Sequence, residues 1–442
     1  MFTQTSNAYQ NYLSKVVRIN KLRPHTNADR LQIAVVEFQN VIVGLDVKEG
    51  DYMIYVPIEC QINESFLSYT NSYRDSSKNR DTESTGFFDD KGRVKPVRLR
   101  GEKSEGYLIP FATLREWYLT NHDEPYFESP EEVVGTLFDK IGDAIFVNKY
   151  VSLNKRQGSG KTAKNDQKAL YSRVLENTFA EHVSTTNLQR GITDLTPDTI
   201  ISVSEKLHGT SARYAKTYVK RKPTFWDKVI RIFNKSHQPV EEDLLYGSRR
   251  VIKNNRYSNP KDGAYYSTNV WERVMGREGL ENIPLGYTVY GEITGYEETG
   301  KGIQGNFDYG DTPGSCSFWV YRVTFGIPGQ QTLELTYPQR KAFCEKLGLM
   351  MPPLHYYGKA RHMYPDLNPD LHWHGDFLKR LEDEFLEMDC PMCTNKVPRE
   401  GIVINPEYAY EARPLKLKSF RFKQMESKGR DKELTQNITE DN

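Results

Sequence analysis

The sequence predicts an α+β protein with a small N-terminal β-barrel, a polar linker, and a larger domain of antiparallel strands and helices. Three observations carry that prediction. Between Ser14 and Phe111, short apolar runs of strand type alternate with turn residues. Between Val151 and Asn187 the composition turns polar and charged, with no sustained period. Beyond Asn187, strand-like runs alternate with segments of helical spacing. A chain of 442 residues is long enough for two or three domains, each with its own core.

In the first segment, "VVRI", "LQIAVVEF", "VIVGL", "YMIYVPI" and "GYLIPF" read as strands. They are separated by "PHTNADR", "DVKEGD" and a long polar loop from Asn63 to Lys95. Such short, evenly spaced strands suit a barrel. The linker, 151–186, holds "RQGSGKT", which has the look of a phosphate-cradling loop. Lys155 stands where that loop needs its first glycine, and no β-branched strand leads into it, so it reads as flexible linker. "DQKALYSRVLENTFAEHV" then has helical spacing. The second domain, 187–428, opens on "TIISVSEKLHGTSARYAKTYV" and continues with strand signals "YTVYGEI", "SFWVYRVTF", "EGIVI" and "LKLKSF". "YPQRKAFCEKLG" and "GDFLKRLEDEFLEM" read as helices, and 429–442 as a disordered tail.

Bulk numbers exclude several classes. The formal net charge is +1, so any polyanion must be held by local basic patches. Five scattered cysteines argue against a disulfide framework and for a reducing compartment. No apolar run approaches the ~18 residues of a membrane span, and "MFTQTSNAYQ" lacks the basic and apolar regions of a signal peptide. The expectation is a cytoplasmic monomer with no membrane partner, in the host cytoplasm if the chain is viral. Aromatics are 12% of the chain; they fill β cores or stack on bases.

The stretch "SVSEKLHGTSARYAK" carries Lys206 three residues before Gly209, in a strand–turn–strand setting. Alone, a lysine three residues before a glycine is uninformative: it occurs by chance in most chains of this size, and Lys206 could be an edge-strand cation or a nucleophile. An amine attacks phosphorus only when unprotonated, so a nucleophilic lysine needs burial, neighbouring cations or a metal to lower its pKa. Residues fit for that follow in order: "YGSRR" with Arg249, "VYGEITG" with Glu292, "FWVYRVTF" with Phe318 and Tyr321, "REGIVI" with Glu400, and "LKLKS" with Lys416 and Lys418. Each is commonplace by itself, but the ordered set is hard to obtain by chance.

In this order the segments resemble the motifs of the covalent nucleotidyltransferases, the superfamily of ATP-dependent ligases and capping enzymes. The resemblance implies that Lys206 attacks the α-phosphate of ATP and holds AMP as a phosphoramidate. AMP then passes to a 5′-phosphate, and a 3′-hydroxyl displaces it to seal the strand. It implies Mg2+ or Mn2+ held largely through water by Glu292 and Glu400, and phosphate stabilisation by Lys416 and Lys418. It places Arg249 near the ribose, Tyr321 or Phe318 on the base, Gly209 at a tight turn beside the nucleotide, and Glu205 against the nucleoside through its main chain.

Within the superfamily, "LRPHTNADRLQIAVVEF" is similar to the first turn of OB-fold modules that bind tRNA, and "PVRLRGEKSEGYLIPF" resembles the end of such a module. Only 24 residues follow Lys418, too few for a barrel after the last motif. The arrangement resembles ATP-dependent RNA ligases with an N-terminal OB domain (1–150) and a C-terminal catalytic domain. The implied function is sealing of RNA ends in nick repair. The alternatives are a ligase preferring DNA or mixed ends, and a non-catalytic nucleic-acid-binding protein. Arg250 departs from the family's usual asparagine, and the stretch after the first motif is enlarged.

That enlargement, "KTYVKRKPTFWDKVIRIFNK", carries seven Lys/Arg against one Asp. With Phe225, Trp226 and Phe233 interleaved, it suits an RNA backbone or a solvated amphipathic insertion. Finally, His372, His374, Cys390 and Cys393 match a tetrahedral zinc set if "HWH" is a strand. The alternative is two reduced thiols in a turn and two surface histidines.

Overall fold

The computed structural model describes residues 1–6, 8–122, 126–151, 173–254, 266, 268–277, 279–369, 372–408 and 410–431. The "RQGSGKT" stretch, most of the expected linker and the tail beyond 431 lie outside the described residues. The chain divides into two compact units: Met1–Arg156 with Phe420–Thr435, and Gln157–Ser419 with Gln436–Asn442. Its class is mixed α+β with mostly antiparallel sheets.

In the N-terminal unit all five expected strands form. Ser14–Arg18, Tyr52–Val56, Tyr107–Pro110 and Leu137–Phe138 make one antiparallel sheet, while Leu22–Pro24, Leu31–Val36 and Gln39–Gly44 make another. The expected run "LQIAVVEF" stops at Val36, because Glu37 and Phe38 form the hairpin turn with φ of 51° and 58°. Among the described residues these sheets do not close into a barrel. The expected polar loop after Asn63 contains a helix, Glu64–Tyr69, whose first turn is capped by the Asn63 side chain accepting from the Phe66 N–H at 3.1 Å. The core is aromatic: Phe66 meets Trp117 and Phe146 edge-on at 5.5 and 5.3 Å. A helix at Phe420–Asp431 belongs to this unit, tied by Lys423 to Glu105 at 2.5 Å and by Ser427 Oγ to Arg93 at 2.7 Å.

The second unit is built on two five-stranded sheets. The elements that matter are β1 (Ile200–Lys206), β2 (Thr210–Lys220), α1 (Phe225–Phe233), β3 (Val240–Gly247), α2 (Val270–Arg277), β4 (Tyr287–Gly295), β5 (Cys316–Phe325), α3 (Tyr337–Leu347), β6 (Leu354–Lys359), α4 (Trp373–Phe385), β7 (Gly401–Pro406) and β8 (Leu415–Lys418). One sheet runs β8-β7-β1-β6, with the short strand Thr186–Asn187 at its β8 edge; the other runs β3-β2-β4-β5, with Leu333–Glu334 at its β5 edge. Hydrophobic clusters seat α4 on the first sheet, and α2 and α3 on the second. The chain passes from the first sheet to the second through Leu207, His208 and Gly209, between the end of β1 and the start of β2, and returns by way of α3 to β6.

The expected helix before this domain begins outside the described residues, and its described part past residue 173 is irregular. Side chains of the second sheet hold it there. Arg213 Nη1 and Tyr290 Oη donate to the Ala180 carbonyl at 2.6 and 3.0 Å, and Thr288 Oγ1 donates to that of Thr178 at 3.3 Å. These carbonyls are taken by side chains, which favours an irregular path over an intrahelical ladder.

Candidate active site

The β1–β2 crossing places the first motif in a cleft between the two sheets. Lys206 ends β1, and its neighbours in the ladder are Gly401 on β7 and, beyond it, Lys418 on β8. With no side chain on Gly401 between them, Lys206 and Lys418 share one sheet face. Glu400, just before β7, spans the gap: its Oε1 lies 3.2 Å from Lys206 Nζ and 3.1 Å from Lys418 Nζ. All three are largely buried. Lys416, also buried, lies two positions before Lys418 on the same face of β8. One carboxylate oxygen therefore bridges two ammonium groups in a site shielded from water, where charge interactions are strong.

Glu400 Oε2 is buried and has no hydrogen-bond partner among the described residues; His208 Nδ1 is 3.9 Å away. A buried carboxylate oxygen left without a donor is costly, so this atom fits a bound cation or its water.

The opposite sheet supplies Glu292. Its Oε1 accepts the Gly209 N–H at 3.1 Å and its Oε2 the Ser211 hydroxyl at 3.4 Å. Three main-chain groups of the crossing loop are held by side chains, the Gly209 N–H by Glu292 among them. The His208 N–H donates to Tyr309 Oη at 2.6 Å, and the Gly209 carbonyl accepts from Gln304 Nε2 at 2.7 Å. A Cβ on Gly209 would lie 2.2 Å from the Ile293 carbonyl oxygen, so this glycine serves close approach to the β4 backbone. Burial, with the nearby Glu400 charge adding to it, pushes the Tyr309 hydroxyl well above its usual range, so it stays protonated.

The pocket holds about 990 Å3 of space free of protein atoms, the open solvent at its mouth included. Tyr321 and Arg249 line it. Tyr321 Oη lies 2.7 Å from His182 Nδ1, and Arg249 Nη2 donates to Ser184 Oγ at 2.8 Å. Burial first, then the nearby Arg213, Arg249 and Arg322 charges, hold His182 well below its ordinary pKa, so the ring is neutral. Arg322 and Arg340 add to the basic lining; Arg322 pairs with Glu334, and Arg340 approaches Glu407 to 3.8 Å.

The structure thus brings together Lys206, Glu400 and Lys418 directly, Glu292 through the crossing loop, and Arg249 and Tyr321 on the wall. Phe318 is not among them: it is fully buried in the second sheet's core, edge-on to Tyr214 at 5.1 Å. The Glu205 side chain turns to the other face of β1, where it accepts from Arg399 Nε at 2.9 Å and contacts His355 Nε2 at 3.0 Å. Its N–H donates to the Pro353 carbonyl at 3.0 Å.

The expected zinc set is corrected. "HWH" is the start of α4, not a strand: His372 precedes the helix with φ 52°, and His374, inside it, bonds the Leu195 carbonyl at 2.8 Å. The two rings therefore do not converge. Cys390 and Cys393 are free thiols hydrogen-bonded to each other, and that bond draws the Cys390 pKa down. Among the described residues no three His, Cys, Asp or Glu side chains form a group able to hold a metal.

His182, Tyr309, Gln304, Arg399 and His355 escaped the sequence reading. Only Arg399 carried a local signal, preceding Glu400 in the strand-entry motif; the others are brought in from distant segments.

Fold and site define a lysine-centred pocket on a two-sheet scaffold. The RNA ligase family profile matches residues 199–423, more than half of the chain, from the start of β1 past β8, and the chain belongs to that family. Comparison with curated proteins finds no match. Among solved structures, the chain is similar to a Naegleria gruberi RNA ligase. A lysine-to-alanine variant of that protein with ATP and Mn is 17% identical, with a TM-score of 0.55 over 93% of this chain and 98% of that one. A glutamate-to-alanine variant with AMP and Mn is 17% identical, TM-score 0.55, over 94% and 99%. The same ligase with PPi is 16% identical, TM-score 0.55, over 95% and 100%. At these identities the likeness is one of fold.

Proposed function

We propose that this chain is an ATP-dependent RNA ligase that joins 3′-hydroxyl and 5′-phosphate ends through a lysine–AMP on Lys206, in the repair of nicked RNA. The observation that carries this reading is the row Lys206–Gly401–Lys418 with Glu400 bridging its two ammonium groups, inside the span matched by the family. The Naegleria ligase, with ATP, AMP, PPi and Mn in its structures, is consistent with it.

In this reading the Lys206 amine bonds the α-phosphorus of ATP as the bond to pyrophosphate breaks. Glu400, 3.2 Å from Lys206 Nζ, favours its ammonium form, and the Lys418 ammonium that shares this carboxylate opposes that and favours the neutral nucleophile. Lys416, Lys418 and Arg249 neutralise phosphate charge, and Tyr321, kept in place by neutral His182, offers its ring to the base. Glu205, locked by Arg399 and His355, holds the end of β1 still; any contact with the nucleoside is through its main chain. A divalent cation, Mg2+ or Mn2+, would supply charge neutralisation and orientation of the phosphates, with Glu400 and Glu292 as the residues to hold it, mostly through water. The N-terminal unit, with its short hairpin strands, acts in this reading as the OB-type module that grips RNA.

The test is incubation with ATP labelled at the α-phosphate and a divalent ion. An acid-labile AMP adduct on the wild type, absent from Lys206→Ala, is expected. No adduct, or an adduct that survives the substitution, defeats the reading. Sealing of matched nicks with ribose or deoxyribose at the 3′ side then separates RNA from DNA or mixed-end preference.

A further inference from the structure

The insertion between β2 and β3 carries a helix built inside out. At ~100° per residue, Phe225, Trp226, Val229, Ile230, Ile232 and Phe233 of α1 share an arc of roughly 160°. A helix on a soluble protein turns such an arc to the core. Here the opposite holds: Phe225, Trp226, Ile232 and Phe233 are 73%, 71%, 74% and 87% exposed, and Ile230 is exposed as well. The residue facing inward is the one acid, Asp227, which is buried.

Asp227 fixes that orientation. It accepts from Arg221 Nη1 at 2.6 Å and Nη2 at 3.1 Å, and from the Thr224 N–H and hydroxyl at 2.7 and 2.6 Å; His237 Nε2 lies 2.9 Å from it. The chain before the helix, its first turn and the chain after it are thus tied to one carboxylate. The apolar face is presented by construction.

Three aromatic rings of ~150–250 Å2 each, with two isoleucines, put roughly 600 Å2 of apolar surface in water. That is at or above what a monomer ordinarily leaves in one patch. Around it Lys220, Lys222, Lys228, Arg231 and Lys235 are exposed, and no exposed acid lies between Lys216 and Val240. The helix sits at the tip of the β2–β3 hairpin, where Lys220 pairs with Val240. That tip is roughly 30 Å along the strand from the cleft, at ~3.3 Å per residue.

We propose that α1 is a peripheral membrane contact that lays its apolar arc into the interface of an anionic lipid surface, with the surrounding lysines on the headgroups. Pairing with a second copy would set two clusters of exposed Lys and Arg, Lys220 to Lys235, against each other. An RNA strand would use the rings and cations but leave Ile230 and Ile232 without a stacking partner. A broad apolar arc with a cationic surround and an aromatic-rich face is the pattern of an interfacial helix. No helix among the described residues is long and apolar enough to cross a membrane, and the contact proposed here spans nothing.

The test is flotation of the full chain, without ATP or RNA, with vesicles of phosphatidylcholine alone or with about one third phosphatidylglycerol; it is independent of the ligase reading. The wild type is expected to float with the anionic vesicles and to be released by salt. Brominated lipid should quench its fluorescence, and the Trp226→Phe variant should float while losing that quenching. Combined Phe225→Ser, Ile232→Ser and Phe233→Ser changes should lower partitioning at least about tenfold, with unchanged thermal unfolding. Failure of the wild type to float, equal binding to neutral vesicles, or a triple variant that floats normally overturns the proposal. So does a triple variant whose only loss is in RNA binding or in self-association.

Discussion

Tyr309 supports the crossing loop from outside the pocket lining, His182 forms part of that lining, and each makes a distinct prediction. The Tyr309 hydroxyl is the acceptor for the His208 N–H in the crossing loop. Tyr309→Phe removes that acceptor and leaves a buried N–H unpaired, which costs about 1–3 kcal/mol. Denaturant unfolding should show that loss, and single-turnover labelling should show slower AMP transfer to Lys206 with little change in ATP affinity. His182 is held neutral by burial and by three arginines, so below about pH 6.5 the unfolded chain binds a proton there that the folded chain does not. Its contribution to stability is complete above that pH and is lost as pH falls, at up to ~1.4 kcal/mol per unit. Denaturant midpoints across mildly acidic pH should fall for the wild type and fall less steeply for His182→Gln.

At the scale of elements, the β1–β7–β8 row depends on a residue with no side chain. Gly401 has φ +146°, and a Cβ there would lie 1.9 Å from the Leu417 carbonyl oxygen. Gly401→Ala should cost at least ~2 kcal/mol and push β7 from β8. Because that shift separates Glu400 from Lys418, AMP labelling should fall further than stability alone explains; labelling under conditions where the variant is fully folded checks this. The strands that carry the motifs were readable from alternation and apolar runs. The irregular stretch after residue 173 and the start of α4 were not, because side chains of distant strands override helical spacing in one, and the expected zinc set required "HWH" to be extended in the other.

The whole molecule assigns the helix Phe420–Asp431 to the N-terminal unit, although it follows the last motif directly in the chain. Ending the chain at Ser419 removes the Lys423–Glu105 and Ser427–Arg93 contacts of that unit and none of the cleft residues. Calorimetry of the truncated protein should show a weakened transition for the N-terminal unit, while Lys206 still takes up labelled AMP. Loss of labelling together with an intact N-terminal transition would refute this division.

By itself, the sequence carried the α+β class and, through the resemblance of its ordered segments to nucleotidyltransferase motifs, pointed to Lys206, Glu292, Glu400 and Lys418. Tertiary structure alone decided that Glu400 bridges two lysines over Gly401, that Tyr321 rather than Phe318 faces the cleft, that the histidines and cysteines do not meet, and that α1 turns its apolar arc outward. Those outcomes depend on which strands pair, in what register, and which side chain is buried against them. Such distances are set by contacts between residues far apart in the chain, and no local pattern carries them.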